Sequence, residues 1–123
     1  MRSKRPAMSP AETEVLRLVW QCREATVQQV YEALPDHRKV TYVTVVTLLR
    51  RLEKKGYLKH RTQGKAFVYA PTAKKEDVIR RTISDLVDRL FGGNPVPLMQ
   101  HLAQHSGLSD EDIERLKELT KKK

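Results

Sequence analysis

The residues of this sequence best placed to do chemistry are cations and small branched side chains that share one face of a helix. Residues 41–70 read TYVTVVTLLRRLEKKGYLKHRTQGKAFVYA. Within this stretch Val45, Leu48, Leu49 and Leu52 fall at i, i+3, i+4 and i+7, which makes them one apolar helix face. At about 100° per residue the opposite face carries Val43, Thr47, Arg50 and Lys54, flanked by Val46 and Arg51. Val and Thr methyls suit the thymine methyl in a major groove, and Arg and Lys suit guanine edges or phosphates. A helix that buries one face and offers such a second face is a candidate recognition helix. The candidate DNA-contacting residues are therefore Thr41, Tyr42, Val43, Thr44, Val46, Thr47, Arg50, Arg51 and Lys54, joined by Arg61 and Lys65 from the hairpin that follows.

Other chemistries lack their residues. There is no glycine-rich phosphate loop, no nucleophile elbow and no catalytic carboxylate pair, so the sequence does not read as an enzyme. His37, His60, His101 and His105 do not make a metal set; the last two have helical spacing but no further ligand beside them. No metal or cofactor is expected. A single cysteine, Cys22, excludes an internal disulfide. It ends the stripe Val15, Leu18, Val19, Cys22, which predicts a buried core thiol. No apolar run approaches the roughly 18 residues of a membrane span, so no stable membrane association is expected. The basic start lacks the hydrophobic stretch of a secretory signal, and the expected location is cytoplasmic.

The elements that must position the reading face follow from local signals. Residues 1–8 read as a basic, mobile tail. Ser9-Pro10-Ala11-Glu12 is a capping box with proline in the first turn, opening a helix to about Cys22. Leu16 and Trp20 widen its apolar face. Thr26-Val27-Gln28-Gln29 opens a short second helix, with Val27, Val30, Tyr31 and Leu34 inward and Pro35 ending it. Lys39-Val40 reads as a very short strand. Thr41 caps the third helix, which stops at Gly56. Tyr57–Thr62 and Ala66–Ala70 alternate like strands around Gln63-Gly64-Lys65. Helix, helix, helix and hairpin make a winged helix-turn-helix, with Arg61 and Lys65 on the wing turned toward backbone phosphate.

After Pro71 the pattern changes. Residues 1–71 hold 14 Lys and Arg against 6 Asp and Glu; residues 72–123 hold 10 against 9. The basic part suits a polyanion and the near-neutral part suits another task. Lys74–Phe91 forms a stripe of Val78, Ile79, Ile83, Leu86, Val87 and Leu90. A linker, Gly92 to Pro97, leads to a short helix with Leu98, Met99 and Leu102. Ser109 caps a last helix with Ile113, Leu116 and Leu119 inward. Three helices of this size cannot bury such stripes alone. A second copy of the chain would cover them. The predicted class is mainly α with a small β-hairpin: residues 1–71 a winged-helix DNA-binding domain, residues 72–123 a three-helix dimerisation module. Ile79, Ile83, Leu86, Val87, Leu90, Leu98, Leu102, Ile113 and Leu116 are the candidate dimer contacts.

Several strings together resemble the penicillinase-repressor family of bacterial transcription regulators (BlaI/MecI/CopY type) over nearly the whole chain. They are Ser9-x-Ala11-Glu12-x-Glu14-Val15 with Trp20, Thr44-Val45-x-Thr47-Leu48-x-x-Arg51-Leu52-x-x-Lys55-Gly56, Gly64-Lys65-x-Phe67-x-Tyr69, Gly92-Gly93, and Leu108-Ser109-x-Glu111-x-Ile113-x-x-Leu116. The resemblance implies a homodimeric repressor on an inverted-repeat operator of double-stranded DNA. In the β-lactam-responsive branch it implies a membrane-embedded sensor protease as partner and release by cleavage within the dimerisation module. The chain departs from that branch where Asn94-Pro95 stands instead of an Asn-Phe cleavage pair, and where Val43 and Val46 replace a Lys and an Arg. It departs from the copper-responsive branch in having no cysteine in residues 92–123. Two other readings of the residues stay open: a winged-helix protein-interaction module and a non-specific nucleic-acid binder.

Overall fold

Serine and threonine hydroxyls fix where the helices of the first half begin. In this computed structural model, which describes residues 5–35, 40–105, 107 and 109–121, α1 spans Pro10–Cys22. The Glu12 N–H donates to Ser9 Oγ at 3.1 Å and the Ser9 N–H to Glu12 Oε1 at 2.9 Å, so the capping box is closed. A second box closes between Thr26 and Gln29 at the head of α2 (Val27–Ala33). Thr41 Oγ1 accepts from the Thr44 N–H at 3.1 Å and starts α3 (Tyr42–Lys54). The chain leaves α3 through Gly56, whose φ of 92° is the left-handed conformation that ends helices.

The hairpin is β2 (Leu58–Gln63) and β3 (Ala66–Pro71), turning at Gly64-Lys65 with Gln63 opposite Ala66. A third strand, β1 (Ala25–Thr26), pairs with Val68 and Tyr69, giving an antiparallel sheet in the order β1, β3, β2. The short strand predicted at Lys39-Val40 is thus not the third strand. Val40 lies in a bend and Lys39 lies outside the described residues. The physical reason lies in the cap. Thr26 must be extended to cap α2 (φ −81°, ψ 167°), and an extended pair there offers its backbone to the open edge of β3.

The core is formed by Val15, Leu16 and Val19 of α1, Val30 of α2, the α3 stripe Val45, Leu48, Leu49 and Leu52, and Tyr57, Leu58 and Tyr69. Each buried aliphatic side chain contributes on the order of 1.5–3 kcal/mol relative to exposure. Two expectations are corrected. Cys22 is exposed. The buried face of α1 runs through Glu12, Val15, Leu16 and Val19, and that spacing leaves Cys22 on the flank of the helix's last turn. The described end of the predicted mobile tail is pinned. Arg5 Nε donates to the Gly56 carbonyl at 2.9 Å, the Tyr57 hydroxyl to the Pro6 carbonyl at 2.7 Å, and Lys55 Nζ to the Ala7 carbonyl at 2.8 Å. Residues 5–7 therefore strap the junction between α3 and β2.

The chain divides into two compact units, Met1–Val78 and Ile79–Lys123. The division falls inside α4 (Lys75–Phe91), whose Val78 packs into the first core. In the second unit Gly93 donates to the Val87 carbonyl at 3.0 Å as α4 ends. The Val96 N–H donates to Asn94 Oδ1 at 3.1 Å as α5 (Val96–His105) begins. Ser109 and Asp112 close a third reciprocal cap on α6 (Asp110–Lys121). Among the described residues no helix is long and apolar enough to cross a membrane.

Candidate nucleic-acid interface

The periodicity of α3 separates its two faces almost completely. Val45, Leu49 and Leu52 have no exposed surface, while Val43, on the other side, is 71% exposed. Thr47, Arg50 and Lys54 are exposed along the same line, and Val46 is half-buried beside it. Tyr42 is exposed and meets Tyr31 of α2 edge-on, with ring centroids 5.9 Å apart, which ties the start of α3 to α2. The threonine hydroxyls already have partners. Thr41 caps Thr44, the two hydroxyls lie 3.0 Å apart, and Thr47 donates to the Val43 carbonyl at 3.1 Å. With its proton donated inward, Thr47 has its methyl and an oxygen lone pair to offer an outside molecule.

No acidic residue occupies the first turn of α3, and Arg51 and Lys54 sit in its last turn, where cations complement the helix dipole. The exposed Arg51 also acts inward. Burial pushes the Glu12 carboxyl up, but the Lys55 hydrogen bond at 2.6 Å, the Ser9 N–H and the charges of Lys55 and Arg51 outweigh it and hold it below the ordinary carboxylate value. α1 and the end of α3 are thereby locked through one ion pair.

On the wing, Lys65 is exposed at the turn. Arg61 is engaged within the chain, donating to Glu24 and, at 2.6 Å, to Gln63. Strand alternation explains how the exposed Arg61 comes to lie beside Glu24. Arg61 pairs with Val68 on the hairpin face opposite to His60, and Glu24 immediately precedes β1, the neighbour of β3. The structure therefore leaves Thr41, Tyr42, Val43, Thr44, Thr47, Arg50 and Lys54 exposed on α3 and at its cap, with Val46 half-covered and Arg61 exposed on the wing in an ion pair with Glu24.

Periodicity missed a cluster beside this surface. His60 Nδ1–H donates to both carboxylate oxygens of Glu53 on α3, at 2.8 and 2.7 Å. Its ring lies flat on Phe67, with centroids 4.1 Å apart and planes at 15°. Tyr69 completes the group, 5.6 Å from His60. Burial first, then the Glu53 charge, pushes the Tyr69 phenol above its usual range, and Arg50 offsets part of this. The only sequence signal for the cluster was the strand register, which places His60, Thr62, Phe67 and Tyr69 on one hairpin face.

In the second unit Ile83, Leu86, Leu90, Val96, Met99 and Leu102 are exposed. Ile79 and Leu98 are half-buried, and Val87 is buried within its own chain. Ile113 and Leu116 belong to α6, but their side chains lie outside the described residues.

Comparison with known proteins bears on this surface. The family profile described as penicillinase repressor matches residues 8–122. A penicillinase repressor of Bacillus licheniformis is 30% identical over 92% of this chain and 88% of its own length. The methicillin resistance regulatory protein MecI of Mammaliicoccus sciuri is 27% identical over the full length of both. Among solved structures, the DNA-binding domain of the repressor BlaI superimposes with a TM-score of 0.53 at 34% identity, covering 62% of this chain and 93% of that one. Monomeric B. licheniformis BlaI in complex with the blaP half-operator gives 0.51 at 35% identity, over 60% and 90%. The chain belongs to the penicillinase repressor family, and its first unit is a winged helix.

Proposed function

We propose that this penicillinase-repressor family member is a homodimeric, sequence-specific transcriptional repressor that reads an inverted-repeat operator in double-stranded DNA. The observation that carries the proposal is the exposed face of α3. Val43 and Thr47 offer methyls and Arg50 and Lys54 offer charge, while the opposite face of the same helix is locked in the core. That combination suits thymine methyls and guanine or phosphate in a major groove. Tyr42, Thr44 and Val46 frame the contact. Thr41 brings the positive end of α3 toward a phosphate, and Arg51 and Lys65 extend it to the backbone. Support also comes from the relatives, one named a methicillin resistance regulatory protein and one a penicillinase repressor, and from the half-operator complex of a relative with a similar winged helix.

The second unit is the dimerisation module in this reading. Ile83, Leu86 and Leu90 of α4 and Val96, Met99 and Leu102 of α5 leave apolar surface exposed that a second copy would bury. The protein acts in the cytoplasm, where its DNA is. A membrane-embedded sensor protease is the partner that ends repression, by cutting the exposed segment around Gly92–Pro97 and α5 so that the dimer weakens. Exposure of that segment supports the assignment.

Selection from random duplex DNA by the purified chain tests the proposal. It should enrich one palindrome. Enrichment without base preference would leave a non-specific binder, and no binding would leave a protein-interaction module.

A further inference from the structure

The Glu53–His60–Phe67 cluster joins the two parts of the winged helix that are to meet DNA. Glu53 belongs to α3, one turn beyond Arg50 and next to Lys54. His60 and Phe67 belong to the two strands of the wing. Imidazole and carboxylate meet through a two-oxygen hydrogen bond, and the imidazole is clamped on its flat side by a phenyl ring. Both partners remain about a third exposed, 30% for the His60 side chain and 33% for that of Glu53, so neither is a core residue. A carboxylate only accepts, so Nδ1 carries the hydrogen and the ring orientation is fixed.

The placement of Glu53 is unfavourable on simple grounds. It adds a negative charge to the surface that is to approach a polyanion, between two cations of the reading helix. A role inside the chain accounts for it. We propose that Glu53, His60 and Phe67 form a latch that sets the angle between the reading helix and the wing. These three are positioning residues that let Arg50 and Lys65 reach the same duplex at once. The latch rests on the DNA-reading function proposed above. His60 restrains β2 against α3, Phe67 restrains β3 against His60, and Tyr69 meets both rings at an angle, with centroids 5.6 Å from His60 and 6.4 Å from Phe67.

The sign of one substitution separates the latch from plain electrostatics. Glu53→Ala removes a negative charge, and charge alone predicts tighter DNA binding with a steeper salt dependence. The latch predicts the opposite: affinity for the selected operator falls by about two- to five-fold per half-site, and the salt dependence becomes shallower because the wing cation no longer engages. His60→Ala should give a similar loss, and the double variant should lose little more than either single one. Glu53→Gln removes the same charge but keeps a carbonyl to accept from Nδ1, so it should bind more tightly than Glu53→Ala. The measurement is anisotropy on the full chain, with thermal unfolding of each variant to show that the fold is kept. Unchanged or tighter binding by Glu53→Ala, or additive losses in the double variant, would overturn the latch. A wild-type chain that binds no duplex specifically would instead overturn the proposed function.

Discussion

Glu12 is a carboxylate buried on the core face of α1, and its neighbours decide its state. Because its folded value is depressed, the stability it contributes is present above the ordinary carboxylate range and is lost as pH falls through the folded value. Glu12→Ala opens the capping box and leaves Lys55 without its carboxylate partner, at a cost of about 1–3 kcal/mol near neutral pH. Glu12→Gln can keep the cap but not the ion pair, so urea unfolding of this variant should show a flatter acid limb than wild type. Arg50 is the converse case, an exposed side chain on the face of α3 away from the core. Arg50→Ala should leave the unfolding midpoint nearly unchanged. It should cost about 1–3 kcal/mol of operator affinity if the guanidinium reads a guanine, and less, without base preference, if it meets a phosphate. Isothermal titration on the selected duplex checks both values.

At the scale of elements, what the sequence revealed was what local chemistry determines. Ser9, Thr26 and Thr41 announce their helices because a cap is satisfied within three residues, and all three caps form as read. Gly56 and Gly64 mark the ends of α3 and β2 because left-handed backbone favours glycine. The features that were missed depend on partners far along the chain. Pairing of Ala25-Thr26 with β3, the commitment of Arg61 to Glu24 and the strap from Arg5 to Gly56 all cross many residues, and no periodicity encodes them. Cys22 was misplaced by one flank because a four-residue stripe fits two overlapping helix faces. The exposed face of α3 was legible because one helix period sets both of its faces. The exposed stripe of α4 makes an element-scale prediction. Leu86→Asp puts a charge where a second copy is to pack, and such a charge is costly to bury. Sedimentation should find monomers whose winged helix remains folded, with operator affinity sharply reduced. Leu86→Asp that still pairs would move the dimer contact away from α4.

At the scale of the whole molecule, the two units differ in what they bury. The first has a closed core, and the second holds most of the exposed large apolar side chains among the described residues. A chain cut after His101 loses the end of α5 and all of α6. Such a chain should pair more weakly and bind the operator more weakly, with the winged helix intact by circular dichroism and still able to bind a half-site. A truncated chain that pairs and binds like the intact one would place the release signal elsewhere.

The most direct test of a paired reader compares two duplexes at one salt concentration. One carries the complete inverted repeat and the other a single half-site, and the full chain is titrated onto each by fluorescence anisotropy. Linking two half-site contacts through one dimer should make the complete repeat bind roughly 10²–10⁴ times more tightly, with two chains per duplex at saturation. Equal affinity for the two duplexes, or saturation of the repeat by one chain, would contradict the account.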